Sequence, residues 1–369
     1  MKKKQTKKKR KLVRDRDWHD EQQHDFAFTH DRARHRRAQP AVSEAAARDL
    51  NPLPRDFAPN AVVVNHAKRW ALVEMDGAER LCIIDERLKE EETTLLAPGD
   101  RVLVEFEEDE AVVRGVAPRG TRLCRPAGEH ARIREQVFAA NVDVLIVVAA
   151  VADPPFRAGL VDRFLIAAEI GGVTPLLCLN KTDLVAEDPE EVRLYADLGV
   201  RVIRTSCATG AGIGELRDAL RGRLAVLAGH SGVGKSSLLN ALDPDLDLET
   251  QAVSERSSRG KHTTTAARLF HLDGDIRIID TPGIRALGLW NVSAEEVAYF
   301  FPEIAALAPD CRYRNCTHTH EPRCAVRAAA EDGRIPAARY AGYQRIHASL
   351  ESETGTTPGR LIMKYVGKK

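Results

Sequence analysis

The chain has 369 residues, 43% of them hydrophobic and 30% charged, and a net charge of +1, which is typical of a globular protein with two or three domains. No apolar run approaches the roughly 18 to 20 residues that cross a bilayer, and the N-terminus lacks the apolar core of a signal peptide. We therefore expect a cytoplasmic protein with no membrane partner, and the odd number of cysteines, seven, argues against a disulfide framework.

The first 40 residues are strongly basic, since they hold seven Lys, seven Arg and four His against six acidic residues. Lysine runs such as the one at 2–4 bury nothing and predict a disordered tail. Two interpretations stay open: a solvated tail, or an arm that binds RNA phosphates by releasing counterions. Residues 1–50 are assigned to this tail and a linker.

Residues 51–120 change to short β-rich segments that are separated by turn residues. Strands are predicted at 61–65, 69–75, 80–84, 101–106 and 111–116. Such a series is typical of a small OB-type β-barrel, a frequent binder of single-stranded nucleic acid, although any small β-barrel has the same pattern.

Residues 121–290 alternate between strands and helices, which predicts a doubly wound α/β domain with right-handed crossovers. Strands are predicted at 144–151, 174–179, 200–205, 223–227 and 276–279, and helices at 160–170, 213–220 and 235–242. Residues 291–369 are predicted to form a helical domain that is interrupted by a cysteine cluster.

A glycine-rich segment follows the strand at 223–227 and opens a helix, which is the context of a phosphate-binding loop. Its backbone N–H groups can turn onto phosphates, and the helix N-terminus adds a favourable dipole. We expect Lys235 to reach the β and γ phosphates and the Ser236 hydroxyl to bind Mg²⁺. The predicted nucleotide contacts are Gly229, His230, Ser231, Gly232, Val233, Gly234, Lys235, Ser236 and Ser237.

A second motif, Asn180-Lys181-Thr182-Asp183, follows the strand at 174–179, at the carboxyl edge where open α/β sheets bind ligands. The Asp183 carboxylate can accept hydrogen bonds from N1 and the exocyclic amine of guanine, which adenine does not offer, so it predicts a preference for guanine. A segment after the next strand resembles the GTPase element whose backbone touches guanine O6: Ser206, Cys207 and Ala208.

Two further segments follow the phosphate loop in the places of GTPase switches. Asp280 stands 45 residues after Lys235 and is predicted to hold Mg²⁺ through water, while the Gly283 amide contacts the γ-phosphate. Between Lys235 and Asp280, in the place of the first switch, a threonine run at 263–265 offers a hydroxyl to Mg²⁺. We prefer Thr264 for this role, and Thr263 stays open.

The base-reading motif precedes the phosphate loop, the reverse of an ordinary GTPase, and this order predicts a circularly permuted domain. With these motifs, roughly residues 60 to 330 resemble the bacterial ribosome small subunit-dependent GTPase A family of circularly permuted GTPases. The resemblance implies an OB domain at 51–120, the GTPase domain at 121–290 and a zinc domain at 291–369. It also implies an enzyme that hydrolyses GTP to GDP and phosphate, is stimulated by the small ribosomal subunit and binds ribosomal RNA.

The cysteine cluster has the spacing C-x4-C-x-H-x5-C, formed by Cys311, Cys316, His318 and Cys324. These soft ligands suit one tetrahedral, structural Zn²⁺ per chain, which would fold a short loop-rich segment. His320 is a rival nitrogen ligand, and the family pattern points to His318. The remaining thiols are interpreted as small buried apolar residues: Cys82, Cys124, Cys178 and Cys207.

Catalysis departs from many GTPases, because Ile284 stands where those enzymes carry a water-orienting Gln. The resemblance offers His262 as the replacement, so the predicted catalytic residues are His262, Thr264 and Lys235. A histidine that packs or binds RNA is the alternative.

The predicted function is a GTPase that uses hydrolysis as a checkpoint in late small-subunit maturation, binding the subunit when GTP-loaded and leaving afterwards. A GTPase acting away from the ribosome and an RNA-binding module that GTP only stabilises stay open as alternatives. We expect a monomer.

Overall fold

A computed structural model of the chain describes residues 58–90, 96–108, 110–127, 134–246, 267–281 and 289–356. The predicted basic tail lies outside these ranges, as do the predicted site residues His262, Thr264 and Gly283 and the alternative Thr263. Within these ranges, we find no helix with the length and apolar character that a membrane span requires.

The first five strands form a closed barrel, which confirms the OB-type domain. They are β1 (Ala61–His66), β2 (Trp70–Met75), β3 (Ala78–Ile84), β4 (Arg101–Glu107) and β5 (Glu110–Val116), in the order β1-β2-β3-β5-β4. β3 and β5 are parallel, and the other neighbouring strands are antiparallel. Alternate side chains such as Val63, Val73, Val102 and Val113 are fully buried inside the barrel, as the alternating sequence predicts.

A six-stranded sheet forms the centre of the α/β part. Its strands are β8 (Val144–Ala150), β9 (Thr174–Asn180), β10 (Arg201–Arg204), β11 (Leu224–Ala228), β12 (Arg268–Leu272) and β13 (Ile276–Asp280). The order is β10-β9-β8-β11-β13-β12, and all neighbours are parallel except the edge pair β12 and β13. The helices between them are α1 (Ala158–Gly171), α2 (Glu190–Asp197), α3 (Ile213–Leu220) and α4 (Lys235–Leu242).

The sheet is apolar on both faces, because helices cover both. Leu145, Leu177 and Val226 belong to the core on one face, and Ile146 and Leu227 belong to the core on the other. This two-sided burial explains why β8 and β11 are continuous apolar runs in the sequence.

Between the barrel and the sheet lies a hairpin of β6 (Arg122–Ala127) and β7 (Arg134–Ala140), which we did not predict. It packs closely on the end of α1, since a Cβ added to Gly171 would lie 2.1 Å from the carbonyl oxygen of Arg122. The edge strand β12 and the helix α2 were also missed.

The C-terminal part is helical, as predicted. It contains α5 (Pro302–Ala305), α6 (Ala325–Glu331) and α7 (Ala337–Thr356), preceded by a 3-10 helix at Ala294–Phe300. Its core includes Phe301, Val326 and Tyr343, and Ile166 from α1 joins the same core. The helical part therefore packs directly on a helix of the α/β part.

Candidate functional site

The predicted nucleotide cleft lies where the connections of two neighbouring strands diverge. From β8 the chain moves toward β9 and β10, at one edge of the sheet. From β11 it moves toward β13 and β12, at the opposite edge. Such a divergence leaves a crevice at the carboxyl ends of the two strands, which is where open α/β sheets bind ligands. The phosphate loop follows β11 directly at this edge.

Two glycines let the phosphate loop pass close to its neighbours. Gly229 has φ +153°, and a Cβ there would lie 2.3 Å from the carbonyl oxygen of Val148 on β8. Gly234 has φ +95°, and a Cβ there would lie 2.5 Å from Nδ2 of Asn180. Side chains are therefore excluded at both positions by strain and by contact.

Lys235 and Ser236 begin α4, directly after this loop. The ammonium of Lys235 folds back over the loop and donates hydrogen bonds to the carbonyl oxygens of Gly229 at 2.9 Å and His230 at 3.0 Å. Ser237 stands in the same first turn of α4. The positive charge and the helix N-terminus thus lie on one side of the loop, as phosphate binding requires.

Asn180 connects three segments of the cleft. Its buried amide donates to the carbonyl oxygen of Val233 at 2.9 Å, and its Oδ1 accepts from the Thr205 hydroxyl at 3.1 Å. The Cys207 thiol lies 3.6 Å from the same oxygen. The end of β9, the loop after β10 and the phosphate loop are therefore held together by one side chain.

The predicted base-reading residues converge beside it. The Ser206 hydroxyl donates to Oδ1 of Asp183 at 2.5 Å, which orients an otherwise exposed carboxylate. Thr182 donates to the carbonyl oxygen of Thr205 through its backbone N–H and its hydroxyl. Ala208 lies in the turn that follows. The structure thus brings both base-reading segments to one place.

Asp280 ends β13 and is paired in register with Leu227 of β11, so its carboxylate reaches the same edge as Lys235. Burial raises the pKa of Asp280, while the nearby Lys235 ammonium and the Thr281 N–H act to lower it. A carboxylate and the Ser236 hydroxyl are hard oxygen donors of the kind that Mg²⁺ prefers. The described part of the cleft therefore fits the predicted metal.

The four predicted zinc ligands form one cluster, in which the ligand atoms all lie within 4.8 Å of one another. Sγ of Cys311 is 3.7 Å from Sγ of Cys324 and 3.4 Å from Nδ1 of His318, and Cys324 is 3.5 Å from the same nitrogen. Tetrahedral zinc with ordinary bond lengths would place two sulfurs about 3.8 Å apart and a sulfur and a nitrogen about 3.6 Å apart. The distances fit zinc.

Burial acts in opposite directions on the metal-binding forms of these ligands. Burial lowers the pKa of His318, which favours the neutral imidazole that metals bind. Burial raises the pKa of the Cys316 and Cys324 thiols, so a metal must displace their protons on binding. The rival His320 is exposed and is not a member of the cluster.

Comparison with known proteins decides the family. The family model described as RsgA GTPase matches residues 116–290. The small ribosomal subunit biogenesis GTPase RsgA of Saccharophagus degradans is 37% identical, over 87% of this chain and 95% of its own length. The chain belongs to the RsgA GTPase family. The RsgA of Pseudomonas aeruginosa is 40% identical, over 85% of this chain and 91% of its own length.

Solved structures agree with this RsgA GTPase assignment. The crystal structure of YjeQ from Thermotoga maritima has a TM-score of 0.61 and 30% identity, covering 79% of this chain and 98% of that chain. The structure of YloQ, described as a circularly permuted GTPase, has a TM-score of 0.57 and 26% identity, covering 82% of this chain and 99% of that chain. The permuted GTPase fold, and with it the GTP hydrolase activity of the RsgA family, are confirmed.

One residue that supports the candidate metal cluster was missed by sequence reasoning. Glu321 is buried, and its two oxygens accept four hydrogen bonds, from N and Oγ1 of Thr317 and from the N–H groups of Thr319 and His320. Burial opposes its ionisation, but the bonds from Thr317 and His320 outweigh burial and lower the pKa of Glu321 to about 2. Glu321 therefore fixes the loop that carries His318.

Replacing Glu321 with Gln should loosen this loop. Each carboxylate oxygen accepts from at least one backbone N–H, so either orientation of the Gln amide sets its NH₂ group against an N–H. We expect a loss of about 2 kcal/mol in stability. Zinc release to a chromophoric chelator should become faster. Glu331→Gln, at an exposed carboxylate paired with Arg327, is the matched control. Equal release rates in the two variants would contradict this role.

Proposed function

We propose that this chain binds the small ribosomal subunit with GTP bound, hydrolyses GTP to GDP and phosphate there, and leaves afterwards, as a checkpoint in late subunit maturation. The observation that carries the proposal is the convergence of Asp183, Asn180 and Lys235 on one cleft. It is supported by relatives named small ribosomal subunit biogenesis GTPases.

In the proposed chemistry, Asp183 reads guanine while Lys235 and the backbone N–H groups of 229–236 hold the phosphates. Ser236 and Asp280, with Thr264 from the first switch, would hold Mg²⁺, which neutralises phosphate charge when bound. The protein contributes positioning and electrostatic stabilisation rather than covalent chemistry. Gly283 is proposed to sense the γ-phosphate.

The metal cluster is proposed to hold one structural Zn²⁺ per chain. Exposed cations surround it, since Arg312, Arg314 and Arg323 lie at the surface near the cysteines. Together with the barrel and the basic tail, this surface is proposed to contact ribosomal RNA phosphates. We propose a cytoplasmic monomer with the domain boundaries 51–120, 121–290 and 291–369.

The deciding measurement is the GTPase rate with and without purified small subunits. We expect stimulation of about tenfold or more, which is about 1.4 kcal/mol of activation free energy. Large subunits serve as the control. Equal rates with and without small subunits would reject the checkpoint, and subunit binding that ignores the nucleotide, without hydrolysis, would favour a passive RNA-binding module.

His262→Ala should reduce the subunit-stimulated rate by about 10²-fold, because a misplaced attacking water costs a factor of this size. GTP affinity should not change. His271→Ala, at a half-exposed histidine on β12, is the control. Full stimulation in the His262 variant would assign this residue to packing or RNA binding instead.

A further inference from the structure

Helix α1 begins at the nucleotide cleft. The segment that leads into it is held by the base-reading motif, because the ammonium of Lys181 donates to the carbonyl oxygen of Asp153. Pro154 lies against the phosphate loop, with its Cδ 3.6 Å from the position of a Cβ on Gly232. Further along α1, Leu160 and other apolar residues line a small cavity together with Val233 of the phosphate loop. The segment that leads into α1 is therefore in contact with both predicted nucleotide motifs, and α1 itself lies beside the phosphate loop.

The same helix holds the zinc-binding part through a buried ion pair. Asp162, in the second turn of α1, has a side chain that is 1% exposed and accepts a hydrogen bond from the guanidinium of Arg339 on α7. Arg339 also donates to Glu303 of α5 at 2.5 Å, and its guanidinium lies 4.4 Å from the ring centre of Phe301. The Tyr195 hydroxyl of α2 completes the cluster with a hydrogen bond of 3.1 Å to Asp162.

The Asp162 side chain of α1 lies against the backbone of α7 at this point. A Cβ added to Gly342 of α7 would lie 2.4 Å from Oδ2 of Asp162, so the absence of a side chain lets α7 approach α1. Next to this contact, Arg163 of α1 donates to the hydroxyl of Ser349 on α7. A displacement of α1 must therefore be transmitted to α7 or break buried charged contacts.

Stability alone does not explain this arrangement. Burial raises the pKa of Asp162 to about 6, although Arg339 and Tyr195 act to lower it, so desolvation outweighs their attraction for the carboxylate. Apolar residues of similar volume often stabilise such a site as well or better, whereas an ion pair defines one relative orientation of its two helices. A role in fixing the orientation of α1 and α7 is therefore compatible with a small net contribution to stability.

We propose that Asp162 and Arg339 are positioning residues that couple the nucleotide site to the zinc-binding part through α1. The inference rests on the proposed GTP site, and it does not depend on the ribosomal partner.

The test is amide hydrogen exchange of α7 in the full, zinc-loaded chain, with GDP and with a non-hydrolysable GTP analogue. The analogue should change exchange in α7 by about fivefold or more relative to GDP, within the usual range of allosteric coupling. In Asp162→Asn and in Arg339→Met the change should fall below about twofold, while nucleotide affinities stay within about twofold of the original. The double variant should lose no more than either single variant, because both act through one contact.

Arg334→Met is the matched control, since Arg334 forms an exposed ion pair with Asp332 in the same part of the chain. Zinc content and a cooperative melting transition verify that each variant folds. If Arg339→Met loses zinc, Arg339→Lys is tested in its place, because lysine keeps the positive charge but lacks the planar guanidinium. The change in α7 exchange between GDP and the analogue should then be reduced.

Either of two results would overturn the coupling: an α7 that does not respond to bound analogue in the original chain, or a full response in both Asp162→Asn and Arg339→Met. Neither result bears on the subunit-stimulated GTPase rate. Conversely, a missing stimulation by small subunits would reject the proposed function and leave the α7 response intact. The two failures are therefore distinguishable.

Discussion

Replacing Asp183 with Asn is expected to change the preferred nucleotide from GTP toward XTP. The carboxylate can accept hydrogen bonds from both N1–H and the exocyclic amine of guanine, whereas the Asn amide accepts only one and sets its own NH₂ group against the amine. Xanthine has a carbonyl oxygen in place of the amine, and the Asn NH₂ can donate to it. The Ser206 hydroxyl, which donates to Oδ1 of Asp183 at 2.5 Å, can hold either side chain in place.

The effect should be large because the lost bond involves a charged acceptor. Hydrogen bonds to charged groups contribute about 1.5 to 3 kcal/mol each, and an opposed pair of donors adds a comparable penalty, so GTP affinity should fall by about 10² to 10⁴-fold. The fold should be unaffected, since Asp183 is exposed and Asn has the same shape. Titration with fluorescent GDP and XDP measures both changes.

Asp218→Asn provides the matched control for this variant. Its carboxylate is exposed on α3 and pairs with Arg221 at 3.0 Å, away from the cleft. Nucleotide preference should not change in this control. If Asp183→Asn also retains its affinity for GDP, the base is read by other residues and the assignment of the motif is wrong.

The nucleotide cleft was predictable from the sequence because its chemistry is local. Lys235 and Ser236 follow a strand and open a helix, and Asn180 and Asp183 follow another strand, so parallel pairing brings both to one edge of the sheet. The barrel was predictable for a similar reason, since its inward side chains alternate along each strand.

Other features depend on contacts between residues far apart in the chain, which no local pattern encodes. Asp162 and Arg339 are separated by 177 positions, and each alone is indistinguishable from a charge on an exposed helix face. The hairpin of β6 and β7 was missed because it is stabilised by packing on α1, which no pattern within 122–140 encodes. Tertiary contacts decide such elements more than intrinsic strand preference does.

Replacing Cys311 and Cys316 together with Ser should remove the metal and unfold the segment around it. We expect about one zinc per chain in the original protein and none in the double variant, because two of four soft ligands are lost. Structural zinc contributes about 10 to 16 kcal/mol of apparent binding free energy in zinc-finger peptides. The loss here should be smaller, since Phe301, Val326 and Tyr343 retain an apolar core of their own.

The contacts of two tyrosines predict how far the damage spreads. Tyr340 donates to the carbonyl oxygen of His318 at 2.7 Å, and Tyr343 donates to that of Thr317 at 2.6 Å. The loop that carries Thr317 and His318, the metal loop, is therefore attached to α7 by hydrogen bonds. Loss of zinc should therefore increase amide exchange in the C-terminal part of the chain. GTP affinity should stay within about twofold, because the cleft contains none of these residues.

Elemental analysis and thermal unfolding check this prediction, with Cys124→Ser as the control. Cys124 is a half-buried thiol on β6, outside the metal cluster, so its replacement should leave the zinc content unchanged. Zinc that persists in the Cys311 and Cys316 double variant would contradict the ligand assignment. A variant that loses zinc and nucleotide affinity together would instead show that the metal loop stabilises the cleft through the contacts between α7 and α1.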